Sequence, residues 1–151
     1  MATARQAIDK AKSWVGIKEG PEADRIIIDP WNKKTGCHAK SKTTAWCAIS
    51  IASLLLQIKA AGYSLSAYCK TQRAYYKRNK RWIDPPNRPA AGYIIFITGH
   101  EGIVTSTSYN GTGKYTSGNS ANKVRTLPFN WKTGKAGKKK IIGYGIPKYT
   151  K

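Results

Sequence analysis

The sequence predicts an α+β fold, with N-terminal helices packed on a C-terminal antiparallel sheet. Three observations predict it. Apolar residues recur at helical spacing through the first half. Short β-rich runs, divided by turn signals at hairpin spacing, fill the second half. Between them residues 46–61 are apolar almost all round, the pattern of a buried central helix. Helices followed by strands argue against a doubly wound parallel sheet. A chain of 151 residues is expected to form one domain, 1–151, large enough to bury a core.

The first helix is expected over 4–15, where Ala4, Ala7, Ile8, Ala11, Trp14 and Val15 share a face. Thr3 is its candidate N-cap and Gly16 its stop. Residues 18–36 hold Gly20, Pro21, Pro30 and Gly36 and read as loop with at most one short helical turn. Thr43 and Thr44 are candidate caps for the central helix, which Gly62 ends. A third, more exposed helix is expected over 66–77, capped by Ser64 or Ser66. The pattern changes after Pro85-Pro86. Strands are expected at 93–97, 102–106, 114–118, 123–127 and 141–146, with a hairpin turn at 109–113.

Composition limits the function classes. The chain carries 27 Lys+Arg against 7 Asp+Glu, a net charge of +20. With 40% hydrophobic residues it is too apolar for a disordered polycation. No apolar run reaches the ~18 residues of a membrane span, and the N-terminus has no apolar signal region. Three cysteines are too few, and odd, for a disulfide scaffold, which fits synthesis in a reducing compartment. Residues 1–30 are neutral, with five bases and five acids, so the whole excess lies beyond them. Lys70, Arg73, Lys77, Arg78, Lys80 and Arg81 form one basic cluster. Lys132, Lys135, Lys138, Lys139 and Lys140 form another. Such a surface attracts polyanions, either nucleic acid or an anionic bacterial envelope.

Cys47 is the candidate nucleophile. It opens the central helix, where free backbone N–H groups and the helix dipole favour thiolate. A cysteine nucleophile needs a base, and the chain has only His38 and His100. His100 lies between two β-runs, where a strand edge can face a helix start. Asn119, at or near the next strand, is the candidate for orienting the imidazole, completing a Cys/His/Asn set for acyl transfer.

The blocks around these residues resemble the CHAP family, the cysteine- and histidine-dependent amidohydrolases/peptidases of phage endolysins and bacterial wall hydrolases. Trp14-Val15-Gly16-Ile17-Lys18-Glu19 is similar to a Gly-x-Lys-Glu opening. Trp46-Cys47-Ala48 is similar to the family's nucleophile block. Pro89-Ala90-Ala91-Gly92-Tyr93-Ile94-Ile95-Phe96 is similar to Pro-x-x-Gly-Asp-x-x-Phe. His100-Glu101-Gly102-Ile103-Val104, Ser117-Gly118-Asn119 and Gly143-Tyr144-Gly145-Ile146-Pro147 resemble three further blocks, in the same order. The resemblance covers residues 7–149. It implies a papain-like fold that cleaves an amide bond in peptidoglycan, as an N-acetylmuramoyl-L-alanine amidase or a stem-peptide endopeptidase. Cys47 would attack, His100 would move the proton, Asn119 would orient His100, and the Cys47 N–H with a second donor would hold the oxyanion. Two positions depart from the family: Ser117 stands where it has an acid, and Tyr93 where it has Asp.

Trp46, Trp82 and Tyr109 are candidate substrate-binding aromatics, with Trp31 beside them. No cofactor is expected. Cys37, His38 and Cys69 lack a fourth zinc ligand. Glu19, Glu22, Asp24 and Asp29 form the only acidic stretch and read as offsetting nearby bases rather than binding calcium. The expected partner is peptidoglycan, with the basic surface holding a monomer on the anionic envelope in place of a separate wall-binding domain. The expected setting is a host bacterial cytoplasm, with action on the wall after release or from a virion. Two other readings stay open: a basic nucleic-acid-binding domain, and a cysteine isopeptidase or acyltransferase on protein.

Overall fold

The computed structural model describes residues 2–150. Helices precede strands as expected. Helix α1 spans Ala4–Trp14, and Thr3 and Gln6 close a reciprocal capping box at its start. Ala7, Ile8, Ala11 and Trp14 form its buried face.

The segment expected as loop is helical instead. Helix α2 (Pro21–Ala23) runs through a π-turn at Asp24–Ile28 into α3 (Asp29–Thr35). Both prolines stand where a helix tolerates them. Pro21 is in the first turn of α2, where its missing N–H would have had no partner. Pro30 follows the wider turn, where the Asp29 N–H reaches the Asp24 carbonyl. Ile27, Ile28 and Trp31 are buried by this segment.

Helix α4 spans Cys47–Gln57 and is buried over Cys47 to Leu55. It is shorter than expected, and neither Thr43 nor Thr44 caps it. Trp46 holds the cap position without a side-chain hydrogen bond. The chain leaves α4 through Lys59 at φ 59°, before Gly62. Helix α5 spans Cys69–Arg78. Ser64 and Ser66 do not cap it; their hydroxyls accept the N–H groups of Ser66 and Tyr68, shaping the preceding turn.

Seven strands form one antiparallel sheet: β1 (Trp82–Ile83), β2 (Ile94–Ile97), β3 (His100–Thr107), β4 (Thr112–Ser120), β5 (Lys123–Asn130), β6 (Lys135–Ala136) and β7 (Lys139–Gly145). Their order is β1-β7-β2-β3-β4-β5-β6, and β6 also pairs with β7, which closes β2–β7 into a barrel. The two-residue strands β1 and β6 have too little sequence to show a period of two.

Strand alternation sends side chains to two cores. Ile95, Ile97, Val104, Tyr115, Phe129, Ile141 and Tyr144 fill the barrel. Ile94, Phe96 and Ile103 face outward onto α4 and join Trp14, Trp46, Ile49 and Leu54. Gly118 is a close approach of the sheet to α4. A Cβ there would stand 2.7 Å from Ser50 Oγ and 2.9 Å from the Trp46 ring. This contact sets α4 against β3 and β4 with its N-terminus at one end of the barrel.

Candidate active site

Cys47 is the first residue of α4 and its side chain is 8% exposed. The first intrahelical bond here runs from the Ser50 N–H to the Trp46 carbonyl, 2.9 Å. The N–H groups of residues 47–49 therefore precede the helical ladder and aim at the space around the thiol.

His100 is the first residue of β3. A two-residue turn at Thr98-Gly99 pairs it with Ile97, and Gly99 takes φ 71° there. His100 and the Glu101 N–H lie near enough to the Cys47 sulfur to lower its proton affinity, while among the described residues the one hydrogen bond of ordinary geometry at that sulfur is to Cys69. His100 Nε2 lies 2.9 Å from Ser117 Oγ, which leaves Nδ1 for Cys47. A base at Nδ1 carries its proton on Nε2, so Ser117 accepts.

The side-chain hydrogen bond to the His100 ring is thus made by Ser117. Asn119 lies in the same cavity wall as His100 but holds no hydrogen bond to it. A bulge between Ser117 and Ser120 carries Asn119 into the left-handed region at φ 57° and takes it out of register. The Asn expectation rested on order along the chain. The 2.9 Å contact of His100 Nε2 with Ser117 Oγ is what places Ser117 at the ring.

Two further groups were invisible to motif reading. Cys69, the first residue of α5, has its sulfur 3.8 Å from that of Cys47. Gln72 fixes this approach. Its buried amide donates to the Ala48 carbonyl at 3.0 Å and the Ser66 carbonyl at 2.7 Å, locking the start of α5 to that of α4. Glu101 is fully buried, and neither carboxyl oxygen has a hydrogen-bond partner among the described residues.

These neighbours set the proton affinities. The Cys69 thiol bonded to its sulfur lowers Cys47 most; burial opposes, and His100 and the Glu101 N–H add to the lowering. Cys47 therefore lies well below an ordinary thiol. Cys69 is raised, first as the donor to Cys47 and then by burial. Burial raises Glu101 well above a normal carboxyl, and negative charge on Cys47 raises it further. The Cys69 thiol and Arg73 pull it the other way, but no hydrogen bond of ordinary geometry reaches either oxygen.

The structure disperses the candidate aromatics. Trp46 is fully buried; its indole N–H makes a long 3.5 Å contact with Glu19 Oε1, and its ring faces Gly118. Trp31 is core, donating to the Leu65 carbonyl at 2.8 Å. Trp82 lies over Gly143 and against Phe96, its indole N–H on Asp84. Tyr109 is exposed under the Arg88 guanidinium, but at the wrong end of the barrel. The eight residues of β3 separate it from His100, about 23 Å at ~3.3 Å per step.

The acidic stretch has structural duties. Asp24 Oδ1 accepts the Ser41 N–H at 2.7 Å, and Ser41 Oγ accepts the Gly20 N–H at 2.8 Å, anchoring the approach to α4. Among the described residues no group of three or more His, Cys, Asp or Glu is placed to hold a metal, and no helix is long and apolar enough to cross a membrane.

Of two cavities, one on the barrel and one on the helices, His100 lines the first and Cys47 lines neither. One, of about 410 Å³, opens at the barrel mouth and is walled by His100 and Asn119. The other, of about 440 Å³, lies on the helical side and is lined by Trp31, Ile49, Leu65 and Tyr68. No family model matches the chain, and no curated protein matches it.

Proposed function

We propose that the chain is a CHAP-like cysteine amidohydrolase with a papain-like arrangement, cleaving a peptide amide of peptidoglycan. The observation that carries this reading is the Cys47 thiol at the start of α4, its proton affinity lowered, within reach of an imidazole that Ser117 holds from its far side.

In this reading Cys47 attacks the amide carbonyl carbon as thiolate. His100, carrying the proton at Nδ1, gives it to the leaving amine as the C–N bond breaks and the thioester forms. His100 then takes a proton from water, which attacks the thioester and frees Cys47. The N–H groups at the start of α4 supply donors for the oxyanion. Ser117 keeps the ring oriented but, being neutral, lends the imidazolium no charge. Peptidoglycan as substrate rests on the six blocks of resemblance, and the +20 charge supports an anionic envelope as the place of action.

The test is release of soluble fragments from dye-labelled peptidoglycan by wild type, Cys47→Ala and His100→Ala. Release by wild type, lost in both variants with thermal midpoints kept, supports the reading. Release by Cys47→Ala at the wild-type rate overturns it.

A further inference from the structure

The cavity at the barrel mouth has a composition that the catalytic reading does not use. Arg125 reaches it from β5, Lys138 from the β6–β7 turn and Lys139 from the start of β7. No Asp or Glu lines it, and residues 102–151 contain none. The one ion pair among the described residues is Arg5–Asp9, on α1. Three cations thus line a concave site that has no Asp or Glu among its lining residues. Arg125 is held in place, its Nε 3.1 Å from Ser120 Oγ, which leaves its terminal nitrogens for a ligand. Ile97, Tyr115, Leu127 and Ala136 give the cavity an apolar floor. The volume, about 410 Å³, suits a short peptide segment.

We propose that this cavity is a subsite for a carboxylate-bearing segment of the peptide substrate, bound by Arg125, Lys138 and Lys139 beside His100. The inference rests on the hydrolase reading and gives it a substrate class. His100 is the group that protonates the leaving amine, so the cavity it walls takes the leaving fragment. That fragment carries a free carboxylate, which the planar fork of Arg125 matches in two-point contact. A stem peptide with free acid groups has this chemistry. The same peptide with its acids amidated does not.

Calorimetry on the full-length Cys47→Ala protein tests this with a soluble stem peptide in free-acid and amidated forms. The free acid is expected to bind at least tenfold tighter. Replacing Arg125, Lys138 and Lys139 together by Gln should erase that preference, with the thermal midpoint as fold control. Equal binding of the two peptides overturns the proposal. So does tighter binding of a glycerol-phosphate polymer that displaces the free-acid peptide, since the cations would then serve phosphate. Hydrolysis by the Cys47 protein is read separately. No product from either peptide overturns the hydrolase reading and leaves the binding result to stand; products without free-acid preference overturn only the subsite.

A second inference stands on other geometry. We infer that Cys47 and Cys69, 3.8 Å apart, form a reversible disulfide when a peroxide oxidises the site. The Cys47 thiolate attacks a peroxide oxygen, the O–O bond breaks, and the departing oxygen leaves as water, giving a sulfenic acid. The Cys69 sulfur then attacks the Cys47 sulfur, the S–S bond forms and the S–O bond breaks, and water leaves with the Cys69 proton. Two thiols are oxidised and one peroxide becomes two waters. Dilute hydrogen peroxide followed by peptide mapping is expected to give a Cys47–Cys69 crosslink that dithiothreitol removes. Cys69→Ser should instead trap a dimedone adduct on Cys47. A crosslink through Cys37, or unmodified Cys47 after peroxide has oxidised Cys37, overturns the inference.

Discussion

Two hydrogen-bonded pairs, Cys47 with Cys69 and His100 with Ser117, lie at the start of α4 beside the buried Glu101. The Cys69 thiol and His100 hold Cys47 as thiolate, so its reactivity should persist as pH falls below the ordinary cysteine range near 8.5. At pH 6 iodoacetamide is expected to alkylate Cys47 faster in the folded protein than after unfolding in urea, despite burial. A slower folded rate contradicts this. Ser117→Ala removes the ring's anchor. One lost hydrogen bond of about 1.4 kcal/mol implies roughly a tenfold loss of kcat, with little change in binding to peptidoglycan.

Glu101 works in the opposite sense to Cys47. Its folded proton affinity is raised, so above the normal carboxyl range, about 4.3, the folded state keeps a proton that the unfolded state has lost. Stability then falls as pH rises through that window. The lowered thiol of Cys47 gives the reverse slope, its stabilisation lost as pH falls from the unfolded thiol value toward the folded one. Glu101→Gln removes only the first contribution. Urea unfolding at pH 5 and pH 8 should show the variant gaining on wild type as pH rises, by up to ~1.4 kcal/mol per unit. A gain that shrinks with pH contradicts the buried neutral carboxyl.

Among the elements, the contact of α4 with β4 carries the site. Gly118 gives Ser50 and Trp46 room, and Gly118→Ala forces a Cβ into both. Overpacking of this kind costs about 1–3 kcal/mol and would shift Cys47 from His100. The expected result is a lower thermal midpoint with a larger fractional loss of activity than the stability loss explains. An unchanged midpoint contradicts the close approach.

The elements also show what the sequence made legible. Helix α1, buried α4 and the β-rich runs obey simple periods, and an element is found at each, α4 ending earlier than its pattern does. The segment 18–36 defied its composition because Pro21 and Pro30 occupy permissive turns, and composition does not reveal turn position. The places of Cys47 and His100 were legible because a helix start and a strand start are local features of the pattern. Ser117, Cys69 and Glu101 acquire theirs from strand register, from the Gln72 clamp and from burial. Those contacts join residues far apart in sequence. The places of the aromatic candidates were hidden for the same reason, since Trp46 and Tyr109 differ in burial rather than in residue type.

For the molecule as a whole, charge is divided by sequence and by role. The first thirty residues are neutral and the last fifty hold no acid. Some of the excess is structural. Arg81 donates to the carbonyls of Ile146 and Pro147, and Lys77 covers Trp82. Much of the rest is solvated and available to an anionic envelope. Raising salt from 0.05 M to 0.5 M shortens the screening length from about 14 Å to about 4 Å. Binding to whole walls is therefore expected to weaken steeply. Cleavage of a soluble free-acid peptide should weaken less, because its ion pair lies within the barrel mouth. Equal salt dependence of the two contradicts this division.

The central claim is that Cys47 breaks an amide of peptidoglycan by acyl transfer to sulfur and then to water. Digestion of purified peptidoglycan in heavy-oxygen water, with mass spectrometry of the soluble products, tests it directly. Wild type is predicted to release fragments whose new carboxyl ends each carry one heavy oxygen, paired with new amine ends that identify the bond. Cys47→Ala is predicted to release none. Wild type that leaves every amide intact across several wall chemistries, or a Cys47→Ala protein that yields the same labelled ends, contradicts the account.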